Sequence, residues 1–385
     1  MKHMKGLVPT IVGGVMGNSV IYLIPLLVGA MVTDRGFSEE QAGYMASADL
    51  AGYTVTTLLT ALLLHRMSWR SAALAALALM IGANIGTTFL YTASSFAAIR
   101  FASGAGGGIL AAIATVSLGQ TDRPDRNYGV LFAASLLFGA AGLWGLPLLL
   151  GRFGLNGGYW VVALLALVTV PFAVRLPKDR QGREQATTTS CARTPWLLAA
   201  IVLAAILVFW TEQNTVYAYM ERMGAAAGLT PEYIGFGLGI VNLAGFAGAA
   251  LVAWLGTRFG RAVPLVLVTA VKLGCFAALG IKVGAISYLL AFATLAVAWN
   301  VMNPFQFGIL AAVDPSGRAL AMASTVTGAG LAIGPAAGAM VIGHGGGYGT
   351  ILWLASALAI VSLILSLAPI GLAERHARLL HSVPG

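Results

Sequence analysis

The chain has 385 residues, of which 58% are hydrophobic and only 9% are charged. Soluble domains carry about 25% charged residues, so this composition excludes an ordinary soluble enzyme, a disulfide-rich secreted module and a disordered chain. The net charge of +9 is spread over short polar gaps between long apolar runs, which indicates a polytopic membrane protein with no nucleic-acid partner. The two cysteines, Cys191 and Cys275, fit no disulfide framework and no metal-ligand spacing.

Twelve apolar runs reach the roughly 20 residues that a helix needs to cross a bilayer. In chain order they lie at 6–33, 41–64, 70–91, 96–119, 128–150, 158–175, 195–220, 232–255, 262–281, 285–312, 319–343 and 349–370. This pattern predicts an all-α polytopic membrane protein of 12 transmembrane helices in two pseudo-symmetric six-helix bundles. We expect the bundles at 1–174 and 195–385, with a cytoplasmic linker at 175–194 and a short cytoplasmic tail.

The distribution of cations predicts the orientation of the spans. When the N-terminus is placed inside, the inside segments hold 16 of the 22 Lys and Arg residues and the outside segments hold 4. Cytoplasmic loops carry an excess of Lys and Arg. We therefore expect both termini to be cytoplasmic in a bacterial inner membrane, with membrane lipid around the spans.

Two charged residues fall inside spans of the first half. Asp49 lies about eight residues into span two and Arg100 about four residues into span four, both counted from the outside. At about 1.5 Å per helical residue their depths differ by about 6 Å. A charge at a helix centre costs about 2.5–3.5 kcal/mol on insertion scales, so we expect the two to pair. The pair is either a proton-coupling site or a static salt bridge.

Two more charged residues fall inside spans of the second half. Glu212 lies past the middle of span seven, and Lys272 lies near the middle of span nine. A buried ammonium needs an anion nearby to remain charged. Two alternatives follow: Lys272 binds an anionic substrate and leaves Glu212 free to carry a proton, or Lys272 pairs with Glu212.

Polar and aromatic residues at helical spacing predict the wall of a central cavity. In span seven Trp210, Gln213, Asn214 and Tyr217 follow an i, i+3, i+4, i+7 pattern and share one face. Aromatic and amide groups are usual ligand contacts. The substrate-binding candidates are Asn18, Tyr22, Tyr53, Trp210, Gln213, Asn214, Tyr217, Lys272, Asn300 and Asn303.

Three motifs resemble those of the major facilitator superfamily over the whole chain. The segment from Gly256 to Arg261, between spans eight and nine, resembles the superfamily's loop signature, with Thr257 at the acidic position. Its first-half counterpart retains Arg66 and Arg70. The motif residues for conformational change are Arg66, Arg70, Gly256, Arg258, Gly260, Arg261, Gly334 and Pro335.

The other two motifs carry implications about coupling. Span four reads Arg-x-x-x-Gly-x-Gly from Arg100 to Gly106, and in proton-coupled members this arginine is linked to proton transfer. Span eleven reads Gly-x-x-x-Gly-Pro-x-x-Gly from Gly330 to Gly338, a pattern that drug/proton antiporters carry in span five. The resemblance therefore implies a twelve-span transporter that works by alternating access.

Taken together, these features predict a secondary active transporter rather than an enzyme. The sequence has no phosphate-binding Gly-x-x-x-x-Gly-Lys loop, so we expect coupling to protons through Asp49, Arg100 and Glu212, with no cofactor and no metal. A monomer is expected to move a small organic anion, with aromatic and carboxylate compounds among the candidates. The alternative is a multidrug or toxic-compound proton antiporter, which would need an unpaired acid in its cavity where an anion carrier needs an unpaired base.

Overall fold

A computed structural model describes residues 4–63, 66–176, 196–255, 258–314 and 318–381. Within these ranges the regular elements are all helices: α1 (Met4–Arg35), α2 (Glu39–Leu63), α3 (Trp69–Thr87), α4 (Ala93–Gly119), α5 (Pro124–Ala173), α6 (Trp196–Ala226), α7 (Pro231–Leu255), α8 (Ala262–Ile281), α9 (Ala285–Val313), α10 (Arg318–Gly343) and α11 (Tyr348–His381). Eleven helices in the described ranges are long and apolar enough to cross a membrane. The predicted all-α fold is confirmed.

Helix α5 accounts for the twelfth predicted span. Its 50 residues would extend about 75 Å as one straight helix, whereas a bilayer core is about 30 Å thick. The helix is interrupted at Gly154, whose φ of 59° and ψ of −164° are not helical. A Cβ placed on Gly158 would lie only 3.2 Å from a methyl carbon of Leu150, although residues eight apart in a straight helix are about 12 Å apart. The chain therefore reverses at Gly154, and α5 contains both the fifth and the sixth predicted span.

Glycines with positive φ follow the ends of several helices. Gly36 follows α1, Gly228 follows α6 and Gly345 follows α10, with φ values of 69°, 78° and 81°. A residue in this left-handed conformation commonly ends a helix, and glycine adopts it without a steric penalty. These turns place consecutive helices in opposite directions across the bundle.

The helices form an N-terminal group (α1–α5) and a C-terminal group (α6–α11), which meet along three pairs of helices. Helix α2 packs on α10, α5 packs on α7, and α1 packs on α6. The predicted domain boundaries stay a prediction, because most of the predicted linker, residues 177–194, lies outside the described residues.

Candidate functional site

The buried pair in the N-terminal group joins α2 to α4. Arg100 Nη2 lies 2.6 Å from Asp49 Oδ2, and Arg100 Nε lies 2.9 Å from the same oxygen. Arg100 is 2% exposed and Asp49 is 3% exposed. Gly104 makes the close approach possible, because a Cβ there would collide with the backbone oxygen of Asp49.

Arg100 has further partners besides the carboxylate. It donates hydrogen bonds to Asn84 Oδ1 and Ser103 Oγ, both at 3.0 Å, and its guanidinium lies 4.5 Å from the ring centre of Tyr159. Within the described part of the chain, Asp49 Oδ1 has no hydrogen-bond partner. The arginine is therefore held by several groups, whereas one carboxylate oxygen remains unsatisfied. Sequence reasoning did not identify Ser103 and Tyr159, which are ordinary packing residues by type.

The buried pair in the C-terminal group joins α6 to α8. Lys272 Nζ donates a hydrogen bond to Glu212 Oε2, and both side chains are almost completely buried. The ring of Phe209 lies beneath the ammonium at 5.1 Å from its centre. Of the two alternatives that the sequence left open, the arrangement in the structure is the ion pair.

A cavity of about 290 Å³ lies between the two groups of helices. Both groups contribute to its wall, through α1, α2 and α5 on one side and α6, α7, α9 and α10 on the other. The lining residues are Asn18, Ile21, Tyr22, Tyr53, Phe132, Leu136, Trp210, Gln213, Asn214, Tyr217, Val241, Asn242, Gly245, Ala296, Trp299, Asn300 and Leu331. Among these described residues none is charged, so the wall is aromatic, aliphatic and amide in character.

The structure brings eight of the ten substrate-binding candidates together in this wall. They are Asn18, Tyr22, Tyr53, Trp210, Gln213, Asn214, Tyr217 and Asn300. Lys272 and Asn303 do not line the cavity: Lys272 contacts Glu212, and Asn303 lies within α9 just before Pro304. The predicted ligand role of Lys272 has no geometric support in this arrangement, because its charge is already compensated.

Trp299 is a cavity residue that sequence reasoning missed. It is 4% exposed, and its indole N–H lies beside the carboxylate of Glu212. Its only sequence signal is its position next to Asn300. A tryptophan in an apolar span is usually a packing residue, so the sequence alone did not distinguish it.

The glycine motif of α10 fits against the cavity-lining helix α6. A Cβ on Gly334 would lie 2.5 Å from Asn214 Cβ and 2.8 Å from the backbone nitrogen of Thr215. Gly330 and Gly338 make equally close approaches to the Trp210 and Tyr219 side chains. The motif therefore lets α6 approach α10 and sets the position of the cavity-lining residues of α6.

Helix α10 also contacts the N-terminal group. Ser47 Oγ donates to the carbonyl of Ala332 at 2.6 Å, and Thr54 Oγ1 donates to the carbonyl of Gly328 at 2.8 Å. The carbonyl of Pro335 lies 3.1 Å from the Cβ position of Gly43. The motif helix thus connects the cavity wall to the junction between the groups.

Polar contacts at the N-terminal end of α2 join the two groups of helices. Glu39 Oε1 accepts hydrogen bonds from Arg222 Nε at 3.1 Å and from the hydroxyl of Tyr348. The indole of Trp144 donates to the carbonyl of Phe236 at 3.1 Å and stacks on its ring. We call this the Glu39 end.

The predicted loop-motif residues lie at the opposite end of the helices. Arg70 donates two hydrogen bonds, of 3.0 and 2.8 Å, to the carbonyl of Leu176 and so ties α3 to the segment after α5. Gly260 has a φ of 69° and turns the chain between α7 and α8, where Arg258 and Arg261 also lie. Arg66 precedes α3. Gly256 and Thr257 lie outside the described residues.

Comparison with known proteins identifies the type of fold. A family model described as the Major Facilitator Superfamily matches residues 10–317. No curated protein sequence matches the chain.

Several solved structures are similar to the chain. One is a D-xylose-proton symporter, with 15% identity, coverage of 94% of this chain and 97% of that one, and a TM-score of 0.74. Another is the xylose transporter XylE from E. coli in a partially occluded inward-open conformation, with 13% identity, coverage of 94% and 97%, and a TM-score of 0.72. A third, described in work on proton-dependent oligopeptide transporters, has 13% identity, coverage of 97% and 100%, and a TM-score of 0.74. At these identities the likeness concerns the fold.

Proposed function

The chain belongs to the major facilitator superfamily, and on that premise we propose that it is a proton-coupled secondary transporter that moves a small uncharged organic solute by alternating access. The observation that carries the proposal is the 290 Å³ cavity whose wall both groups of helices share. A site between two groups that rock against each other can be exposed to either side of the membrane in turn.

Proton coupling is supported by the geometry of Asp49 and Arg100. Binding of a proton to the unsatisfied Oδ1 of Asp49 would neutralise the carboxylate and weaken its bonds to Arg100. Asn84 and Ser103 would then continue to hold the guanidinium. Reversal of this step would return the proton. Glu212, which is also completely buried, is the second candidate.

The charge of the substrate follows from the cavity wall. The anionic solute expected from the sequence depended on an uncompensated cation at Lys272, and that cation is paired with Glu212. An exporter of lipophilic cations would need an unpaired acid, which the described wall also lacks. Transfer of an ion into a site without a counter-charge is costly, so an uncharged solute is favoured.

The orientation completes the proposal. The Glu39 end faces the outside, and the end that carries Arg66 and Arg70 faces the cytoplasm of a bacterium. A cysteine introduced by Met67→Cys should then resist an impermeant maleimide in intact cells, whereas one introduced by Thr92→Cys, in the exposed connection between α3 and α4, should react. The reverse labelling pattern would overturn the orientation.

The proton-coupling step is tested by Asp49→Asn. The assay uses a solute that raises the thermal stability of the purified protein. In vesicles, the variant should no longer accumulate this solute in response to a pH gradient, but it should still exchange the solute across the membrane by counterflow. Asp34→Asn, which changes an exposed acid at the end of α1, is the matched control. Undiminished accumulation by Asp49→Asn would reduce the pair with Arg100 to a structural contact.

A further inference from the structure

Trp299 connects the central cavity to the buried ion pair of the C-terminal group. Its side chain, on α9, lines the cavity, and its indole N–H lies beside the carboxylate of Glu212. Glu212 itself is 0% exposed and does not line the cavity. The indole therefore contacts the cavity and the carboxylate at once.

Packed side chains surround the other member of the pair. Lys272 Nζ donates to Glu212 Oε2 and lies over the ring of Phe209, 5.1 Å from its centre. Lys272 and Phe209 are both 0% exposed. An aromatic face attracts a cation, so the ammonium keeps one favourable contact if the carboxylate of Glu212 is neutralised.

Few groups act on the carboxylate of Glu212. Helices α1, α7, α9, α10 and α11 pack on α6, and the described side chains that interact with the carboxylate are Lys272 of α8 and Trp299 of α9. Within the described part of the chain, Lys272 is thus the one charged group that faces Glu212. Because no second acid contacts the carboxylate there, a proton for it has to come from water, and the adjoining space that holds water is the cavity.

The backbone of α9 is closely packed beside Trp299. A Cβ on Gly248 of α7 would lie 2.5 Å from the carbonyl oxygen of Val297 and 2.8 Å from Asn300 Cβ. This contact leaves no room for the helix to move towards α7. Rotation of a side chain between rotamers needs no such movement, so the indole is the part that can turn.

From these contacts, and resting on the proposed proton-coupled transport, we propose that Trp299 is a positioning residue that controls the passage of protons between the cavity and Glu212. In its observed position the indole shields the carboxylate from water. When the indole turns away, a proton from water in the cavity binds to a carboxylate oxygen of Glu212. The hydrogen bond from Lys272 then weakens, and Lys272 stays protonated over the ring of Phe209. Release of the proton to the cavity reverses these steps.

The first test measures the access of a carboxyl reagent to Glu212. The full chain in nanodiscs is treated with a water-soluble carbodiimide and glycine ethyl ester, which together convert an accessible carboxyl group to an amide and release a urea. Mass spectrometry measures the product at Glu212, and the exposed Asp34 is the internal positive control. In the wild type Glu212 should react at least about tenfold more slowly than Asp34, because a fully buried group reacts only during rare openings.

Substitutions of Trp299 test whether the indole is the barrier. Trp299→Ala should increase the labelling of Glu212 about tenfold over the wild type, since the carboxylate no longer depends on rare openings. Trp299→Phe retains an aromatic ring and should keep Glu212 protected, and Trp299→Leu is a second open variant in case Trp299→Ala folds poorly. Phe132→Ala is the matched control, because it removes an aromatic ring from the opposite wall of the cavity. Protection of Glu212 in every folded open variant, or equal labelling in Phe132→Ala, overturns the assignment.

The second test measures proton passage without any solute. The protein is placed in liposomes with a pH gradient and a trapped pH-sensitive dye, and potassium with valinomycin holds the membrane potential at zero. Trp299→Ala should pass protons several times faster than the wild type, because Glu212 then exchanges protons with the cavity whichever side the cavity faces. The triple variant Glu212→Gln/Lys272→Met/Trp299→Ala should lose this leak. A leak that persists in the triple variant, or no leak in Trp299→Ala, would refute the passage of protons through Glu212.

The two proposals can fail separately. Accumulation of a solute that requires Asp49, in a protein whose Glu212 stays protected in the open variants, would refute the role of Trp299 and leave transport intact. Labelling and a leak that follow Trp299, in a protein that carries no solute, would support this role and contradict transport.

Discussion

The substitution Lys272→Met should destabilise the protein strongly. The change keeps the length of the side chain but removes the ammonium that contacts Glu212. Glu212 is 0% exposed, and within the described residues Lys272 is its ion-pair partner. Removal of one member of a buried ion pair costs about 3–5 kcal/mol. For a chain of this size we expect the midpoint of thermal unfolding to fall by roughly 5–10 °C.

The double variant Glu212→Gln/Lys272→Met should recover most of this loss, because replacement of a whole buried pair by neutral groups is often close to neutral. The measurement is thermal unfolding of the purified protein in one detergent at one heating rate, since large proteins often unfold irreversibly. Lys282→Met is the control, because it removes an exposed cation at the end of the same helix. A single variant as stable as the wild type, or a double variant no better than the single, would show that the pair does not stabilise α6 against α8.

Two further predictions concern the junction between the helical groups. Gly334→Ala should lower thermal stability and ligand affinity, because its Cβ would lie 2.5 Å from that of Asn214. Gly347→Ala, which has no heavy atom within 4 Å of its Cβ position, should change neither, and equal effects of the two would contradict this role for the motif. Glu39→Gln should open the Glu39 end by weakening its bond to Arg222, so that maleimide added from that side labels the cavity-lining position of a Val241→Cys variant faster. Labelling that does not differ between Glu39→Gln and wild type would mean that this contact does not hold the end closed.

The spans and the Asp49–Arg100 contact were accessible from the sequence for the same physical reason. Burial of about 20 consecutive residues in a bilayer requires apolar side chains, so the apolar runs of the sequence directly indicate the positions of the helices. Charged residues among them are costly and need partners, and matching depth indicated the partner of Asp49. The stripe from Trp210 to Tyr217 was found because helical spacing alone places its members on one face.

Other features depend on the tertiary arrangement, which a single sequence does not contain. The partner of Lys272 could not be decided, because a carboxylate and a substrate anion satisfy an ammonium equally well. The role of Trp299 depends on which neighbours its N–H meets, and the sequence does not show that this neighbour is the carboxylate of Glu212. The reversal at Gly154 falls in the gap predicted between the spans at 128–150 and 158–175, where Arg152 and Asn156 interrupt the apolar pattern. The helical structure that continues on both sides of Gly154 was not evident from that pattern.

The location of the charge pairs affects the energy of switching between states. Asp49 and Arg100 both belong to the N-terminal group, and Glu212 and Lys272 both belong to the C-terminal group. A rocking motion therefore does not separate opposite charges in the low-dielectric interior. Between the two groups, among the described residues, it separates neutral hydrogen bonds such as that from Thr54 to the carbonyl of Gly328, each worth about 1 kcal/mol. It also separates the partly exposed ion pair of Arg222 and Glu39, which is worth about 0–1 kcal/mol. If the two groups rock against each other as proposed, such weak contacts between them would keep the energy difference between the two states small.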